Sequence, residues 1–322
     1  MYEAFYKLTG RPFQLSPDPA FFYGSRGHRR AAAYLEYGVE QGEGFIVITG
    51  EVGAGKTTLV RNLLANLPAT HVIAAQLVST QLSADDMPGA VCAAFNLAFQ
   101  ANKAVCLYTL HKHLRNAQHA GKRCLLIVDE AQNLSAPALE ELRMLSNFQT
   151  ERGSLLQSFL VGQPEFRQTF TGGAMQQLRQ RVIATYHLGP LELEETRAYI
   201  EHRLGRVGWD NDPSFSDAAH EALHSYTAGL PRRINTVCDR LLLMASLDER
   251  HHIDAPAVAA VVDELEGDFT AGAAPATPEE TELSEAPATD LPLAEDINRL
   301  ERYAAQTAAL SRRILDHIRG NR

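Results

Sequence analysis

The stretch Gly50-Glu51-Val52-Gly53-Ala54-Gly55-Lys56-Thr57 restricts the possible folds of this chain more than any other. An apolar run, Phe45-Ile46-Val47-Ile48-Thr49, precedes it and reads as a buried strand. After it, Thr58-Leu59-Val60-Arg61-Asn62-Leu63-Leu64 has the apolar spacing of a helix. Strand, glycine-rich turn and helix form the setting that a phosphate-binding loop requires. Its glycines let the backbone turn sharply and aim N–H groups at a polyphosphate. Lys56 is expected to reach the β- and γ-phosphates, and the Thr57 hydroxyl to sit on Mg²⁺. The nucleotide-contacting set is therefore Gly50, Glu51, Val52, Gly53, Ala54, Gly55, Lys56, Thr57 and Thr58, with ATP and Mg²⁺ as the implied ligands.

A second acidic element fits the first. Cys124-Leu125-Leu126-Ile127-Val128-Asp129-Glu130 describes a strand buried on both faces whose tip carries two carboxylates. Ligands of open α/β sheets collect at that edge. Asp129 is expected to join Thr57 around the metal, and Glu130 to polarise the attacking water. The strand Leu155–Gln163 ends in an amide, and Gln163 is placed to read the γ-phosphate or hold the water.

Around this centre the chain divides by pattern into five parts. Residues 1–44, with prolines at 12, 17 and 19 and an amphipathic helix after Ser25, read as an arm and helix packed on the nucleotide fold. The arm can wall the adenine pocket, or Phe13, Phe21, Phe22 and Tyr23 can simply pack on the core. Residues 45–190 form the α/β core; within it, Ser83-Ala84-Asp85-Asp86 is expected to cap a helix running to about Phe99. Residues 191–267 are helical throughout, at 193–207, 214–228, 231–248 and 255–265. In Gly229-Leu230-Pro231-Arg232-Arg233-Ile234-Asn235 a proline opens a helix and places an arginine able to swing toward a phosphate in the cleft. Residues 268–292 have the composition of a disordered acidic linker, and 293–322 hold a lone amphipathic helix suited to a partner or to self-association.

The bulk numbers narrow the setting. No run approaches the length of a membrane span, and Met1-Tyr2-Glu3-Ala4-Phe5-Tyr6 lacks the layout of a secretion signal, so a cytoplasmic location is expected. The four cysteines are scattered and read as small buried residues, not as disulfides or metal ligands. A net charge of −9 argues against broad nonspecific binding of nucleic acid.

With these residues in view, the chain resembles the AAA+ ATPases of the ExeA/general secretion pathway protein A type, over about residues 1–267. More narrowly it resembles the ATPase encoded with exosortase (PEP-CTERM) and exopolysaccharide loci. The likeness rests on Phe5-Tyr6-Lys7-Leu8, Arg11-Pro12-Phe13, Asp18-Pro19, the Gly50–Thr57 loop, Asp129-Glu130-Ala131-Gln132, Gly162-Gln163-Pro164-Glu165, Leu178-Arg179-Gln180-Arg181 and Gly229–Asn235. The resemblance implies an α/β P-loop fold: a five-stranded parallel sheet with helices on both faces, then a small all-helical lid. It further implies Gln163 as sensor 1, Arg232 as sensor 2, and Arg179 or Arg181 as an arginine finger offered to a neighbouring subunit, hence a homo-oligomeric ring or filament. These arginines can instead brace the last helix against the sheet. Unlike secretion-type relatives, the sequence shows no membrane span or peptidoglycan-binding domain after the lid.

The expected function is thus a Mg-dependent ATPase that powers or regulates assembly of an envelope protein-sorting, secretion or exopolysaccharide export system. It would be cytoplasmic, or peripheral at the inner membrane through its partners. Two alternatives stand beside it: a DNA-associated ATPase like transposition helpers, and a nucleotide-dependent scaffold with little turnover.

Overall fold

A computed structural model describes residues 1–16, 18–68, 70–78, 81–98, 102–171 and 175–271. The expected helix at 293–322, and all but the first residues of the expected linker, lie outside the described residues. In chain order the elements are α1 (Tyr2–Phe5), α2 (Arg26–Gln41), β1 (Phe45–Gly50), α3 (Lys56–Asn66), β2 (Val72–Leu77), α4 (Met87–Ala94), α5 (Lys103–His119) and β3 (Arg123–Val128). They continue with α6 (Ala136–Leu145), β4 (Gln149–Thr150), β5 (Gly153–Ser154), β6 (Leu156–Gly162), α7 (Phe166–Thr171), α8 (Gln176–Arg179) and β7 (Val182–Leu188). Last come α9 (Leu193–Gly205), β8 (Ser214–Phe215), α10 (Asp217–Thr227), α11 (Pro231–Leu247), β9 (His252–Ile253) and α12 (Ala255–Ala271).

Five strands form one sheet in the order β2-β3-β6-β1-β7, and every neighbouring pair is parallel. β1 and β3 are apolar on both faces along most of their length, because helices cover both sides of the sheet, while β6 buries Gln157 and Ser158 among its apolar residues. Phe45 and Val47 of β1 enter one core with Leu126 and Val128 of β3 and residues of α4, α5 and α6. Ile46 and Ile48 enter the opposite core with Leu125, Ile127, Phe159 and the faces of α2 and α3. The period of two sends successive side chains to opposite layers, so one apolar run serves both.

A third core lies among α9, α10, α11 and α12. Tyr2, Tyr6, Leu8 and Phe13 belong to this cluster, and the Tyr2 hydroxyl donates to Asp239 on α11 at 2.5 Å. The first stretch of the arm therefore packs with the helical bundle, while α2 packs on β1, β7 and α3. The arm bridges two layers.

Two expectations about helix ends need correction. The helix that Ser83–Asp86 is expected to cap begins at Met87 with Asp86 at its N-cap, but it stops at Ala94 instead of near Phe99, because Asn96 takes a left-handed φ of 55° that ends the helical path. Ser83 holds Asp86 through a local pair of hydrogen bonds at 2.6 and 3.2 Å and caps no longer helix. At the other end of the chain α12 runs on to Ala271, past the expected end at 265, with no proline before Pro275 to stop it. The paired two-residue strands β4–β5 and β8–β9 had no periodic signal and were not foreseen.

Parallel order carries the functional consequence. The loops that follow β1, β3 and β6 all leave the sheet at the same edge, and these three strands are neighbours. Arg181 comes just before β7, at the opposite edge, where its carbonyl accepts from the Phe45 N–H at 2.9 Å.

Candidate nucleotide site

The phosphate loop begins where β1 ends. Gly53 and Gly55 adopt φ of 85° and 97°, conformations that strain any side-chain-bearing residue, and Gly55 is the N-cap of α3. Gly53 is also pinned by a neighbour: a Cβ there would lie 2.5 Å from Cβ of Arg232. The Arg232 N–H donates to the Gly53 carbonyl at 3.1 Å, so the start of α11 rests directly on the loop.

Lys56 folds back over this turn. Its Nζ donates to the carbonyls of Gly50 at 2.7 Å and Glu51 at 2.9 Å, and it is only 7% exposed. Burial pulls the ammonium pKa below its usual value, while Glu130, Asp129 and Glu51 oppose that shift. The amine is thus a desolvated cation at the mouth of a backbone cradle, the donor set a polyphosphate fits.

The acidic tip of β3 meets the loop from the side. Thr57 Oγ1 donates to Asp129 Oδ2 at 3.1 Å, and the other oxygen of Asp129 accepts from the Glu130 N–H at 3.0 Å. Burial raises the Asp129 pKa; the hydrogen bonds from Glu130 and Thr57 hold it back. Two hard oxygens, one hydroxyl and one carboxylate, sit side by side here, a donor set suited to Mg²⁺.

Glu130 itself sits at φ 52°, a left-handed turn that is uncommon for a residue with a side chain. Its carboxylate is held by two amides: Gln132 Nε2 donates to Oε2 at 2.5 Å and Gln163 Nε2 at 3.3 Å. Gln132 also accepts from the Gln163 N–H at 3.0 Å, so the tips of β3 and β6 are tied through one side chain. Sequence reasoning gave Gln132 no role of its own. The signal that could have found it was its position two residues beyond Glu130, on the same strand tip.

The arm and bundle complete the other side of the cleft, a cavity of about 180 Å³. Phe21, Phe22 and Tyr23 from the arm, His28 from α2, Tyr199 and Arg203 from α9, and Asn235 from α11 line it together with the loop. Phe21 and Tyr23 pack against the bundle core and also line the cleft. Arg203 organises this half. Its Nε donates to the Pro12 carbonyl at 2.5 Å, NH1 to the Tyr199 hydroxyl at 3.0 Å and NH2 to the Gln14 carbonyl at 3.3 Å, and its guanidinium lies 4.9 Å from the Phe21 ring centroid. The Tyr199 hydroxyl in turn donates to Asn235 Oδ1 at 2.8 Å. Neither Tyr199 nor Arg203 carries a sequence motif, because no motif spans positions so far apart in the chain.

The structure gathers Gly50 to Thr58, Asp129, Glu130, Gln163 and Arg232 around one edge. It does not bring Arg179 or Arg181 there. Arg179 is exposed at the end of α8. Arg181 NH1 donates to Ser146 Oγ at 2.9 Å and NH2 to Asn147 Oδ1, both just after α6.

A five-stranded parallel sheet with a glycine loop after β1 and a carboxylate pair after the adjacent-but-one strand β3 defines a P-loop nucleoside-triphosphatase fold of the AAA+ type. The family model described as "AAA domain" matches residues 39–170. General secretion pathway protein A of Aeromonas hydrophila is 40% identical over 255 residues, which is 79% of this chain and 46% of that protein. Residues 39–170 are thus similar to the AAA domain, and the chain is similar to general secretion pathway protein A, of whose length it spans about half. Among solved structures, the Aeropyrum pernix ORC2 protein (ADPNP-ADP complexes) superposes with a TM-score of 0.59 at 18% identity, covering 77% of this chain and 72% of that one. The Aeropyrum pernix ORC1 protein in complex with DNA gives 0.59 at 17% identity, covering 83% and 72%. At such identities the likeness is one of fold.

Proposed function

We propose that this chain binds ATP with Mg²⁺ in the cleft and hydrolyses it. One observation carries the reading: Thr57, Asp129, Glu130 and Gln163 converge from three strand tips onto the glycine cradle, and Glu130 is held in a defined orientation by two amides. Mg²⁺, held by Thr57 and Asp129, would supply charge neutralisation for the phosphates. The chain's own residues do the rest. Backbone N–H groups of the loop and Lys56 bind the β- and γ-phosphates, and Glu130 orients and polarises a water. Gln163 shares the Glu130 carboxylate, so a change at the terminal phosphate is felt at the base.

The helical part at 191–267 acts as a lid, with Arg232 as its phosphate sensor. Support comes from the direct contact of α11 with the loop at Gly53. Arg179 or Arg181 serves a neighbouring copy, since neither lies at its own chain's phosphate edge; this makes the working form an oligomer.

The ATPase serves an envelope secretion machine, by its kinship with general secretion pathway protein A, and more narrowly an exosortase-linked or exopolysaccharide export system. It acts at the inner face of the membrane through partners; no helix among the described residues is long and apolar enough to cross a bilayer.

The test is phosphate release from ATP with and without Mg²⁺, compared with Glu130→Gln. Turnover should fall by about 10²–10⁴-fold in the variant while ATP binding persists. Equal turnover in both proteins would leave only a scaffold. The Glu130→Gln form, loaded with ATP, is also the bait for retaining export components; a pull-down that returns only cell-division or replication proteins would reject the secretion assignment.

A further inference from the structure

Asn235 lines the cleft from α11 and joins its two sides. It is 6% exposed and follows Arg232 by three residues, so it lies on the same helix face, about 4.5 Å farther along the axis. Arg232 rests on the loop through the Gly53 carbonyl. The Asn235 carboxamide instead meets Tyr199, which with Arg203 and Phe21 belongs to the aromatic side. The direction of the hydrogen bonds in this group is forced. A guanidinium has donors only, so at the 3.0 Å contact of Arg203 NH1 the Tyr199 hydroxyl oxygen accepts. Its single proton must go elsewhere, and among the described residues its one other partner is the Asn235 carboxamide at 2.8 Å. The atom at that contact is therefore the amide oxygen, and the NH₂ group takes the opposite corner. Nδ2 bonds none of the described residues, and it is not one of the polar atoms enclosed by protein without a partner. Two N–H donors of a nearly buried side chain are left open on a residue of the cleft wall, where a ligand acceptor would satisfy them.

We propose that Asn235 binds the sugar of the nucleotide: its Nδ2 donates to a ribose hydroxyl oxygen, and Arg203 and Tyr199 are the positioning residues that fix the carboxamide for that task. This inference rests on the nucleotide-site reading above. With the phosphates on the glycine loop and the base against the aromatic wall, the sugar spans the interval between them. Asn235 stands in that interval, tied to the loop side through α11 and to the aromatic side through Tyr199. A sugar hydroxyl suits a neutral amide donor, because it accepts a hydrogen bond without the charge that Lys56 and the loop N–H groups already meet. The consequence is that the bundle reads ribose, and that Arg203, which also holds the arm through Pro12 and Gln14, sets the direction of that reading.

The experiment compares ADP with 2′,3′-dideoxy-ADP by calorimetric titration in Mg²⁺ buffer, with thermal melting to confirm the fold of each variant. Asn235→Asp keeps an acceptor for the Tyr199 hydroxyl and removes the donors. Its added charge acts alike on two ligands with the same phosphates, so the ratio of their affinities isolates the sugar contact. The unaltered protein should prefer ADP by about fivefold, the fold-change that one net hydrogen bond is worth. Asn235→Asp should reduce that preference to less than about twofold, and Tyr199→Phe, which lets the carboxamide turn over, to about threefold or less. No preference in the unaltered protein, or a preference unchanged in either variant, would overturn the proposal. Should Asn235→Asp not fold, Asn235→Ala reads the same ratio, and an unchanged ratio there overturns it equally. Failure of the unaltered protein to bind either nucleotide would instead defeat the nucleotide reading itself.

Discussion

The two halves of the cleft are built on opposite principles. The phosphate half is made of backbone and of side chains within a few residues of three strand tips: Gly50 to Thr58, then Asp129 to Gln132, then Gln163. The opposite half draws Pro12, Gln14, Phe21 and His28 from the arm and Tyr199, Arg203 and Asn235 from the bundle. Chemistry explains the contrast. A polyphosphate is recognised by N–H groups and charge, which a short turn can supply by its own geometry. A flat apolar surface can be made from any aromatic wall, and only tertiary packing selects which.

The comparison breaks first at Lys56. If the phosphate half dominates affinity, Lys56→Ala should weaken ATP binding by at least about 100-fold, near 3 kcal/mol, with circular dichroism and melting preserved. Micromolar or tighter ATP binding by that variant would remove the loop from the site.

Arg203→Ala probes the other half and should behave differently. It leaves the buried carbonyls of Pro12 and Gln14 without their donor, so we expect a loss of about 2 kcal/mol of folding stability in urea titrations. ATP affinity should fall far less than with Lys56→Ala. A reversed order would mean that the arm, and not the loop, governs binding.

Within the phosphate half, Gln132→Ala separates orientation from binding. Glu130 keeps only the 3.3 Å contact with Gln163, and turnover should drop about tenfold, near 1.4 kcal/mol, at unchanged KM. A change confined to KM would place Gln132 in binding and not in orienting the base.

The smallest effect is a pH slope. Burial holds the His28 pKa down at about 4, against 6.5 for the exposed imidazole, with the nearby Ala54 backbone and Glu195 opposing. The unfolded chain then binds the proton more readily between those values, so stability is complete above about pH 6.5 and is lost as pH falls toward 4. Lowering pH from 7 to 5.5 should cost about 1 kcal/mol through this residue, and His28→Gln should flatten that part of the curve. An identical slope in the variant would assign the pH response elsewhere.

Much of this was legible in the chain itself. β1 and β3 fall where their apolar runs placed them, because four or more buried residues between turn signals leave little freedom. α5 runs from Lys103 to His119 and starts at a capping residue visible in the sequence, Asn102, which accepts from the N–H groups of Ala104 and Val105. α4 was overrun because its apolar residues continue past Ala94 while the backbone turns at Asn96, and hydropathy does not record a left-handed residue. The arm's attachment to the bundle through Tyr2, Tyr6 and Phe13 was equally hidden, since an aromatic residue states that it is buried but not against what.

What the sequence determined alone was the phosphate edge: glycines, lysine, threonine and carboxylates at spacings that local geometry converts directly into a cradle beside an acidic strand tip. Only the tertiary structure decided that Gln132 and Gln163 share Glu130, that Arg203 binds the arm to α9, and that His28 and Arg232 close on the loop from two other elements. The reason is range. Turn and strand chemistry acts over a few residues, whereas those contacts, the local Gln132–Glu130 pair apart, join positions tens to nearly two hundred residues apart, and nothing along the chain encodes which distant surfaces meet until the cores have packed.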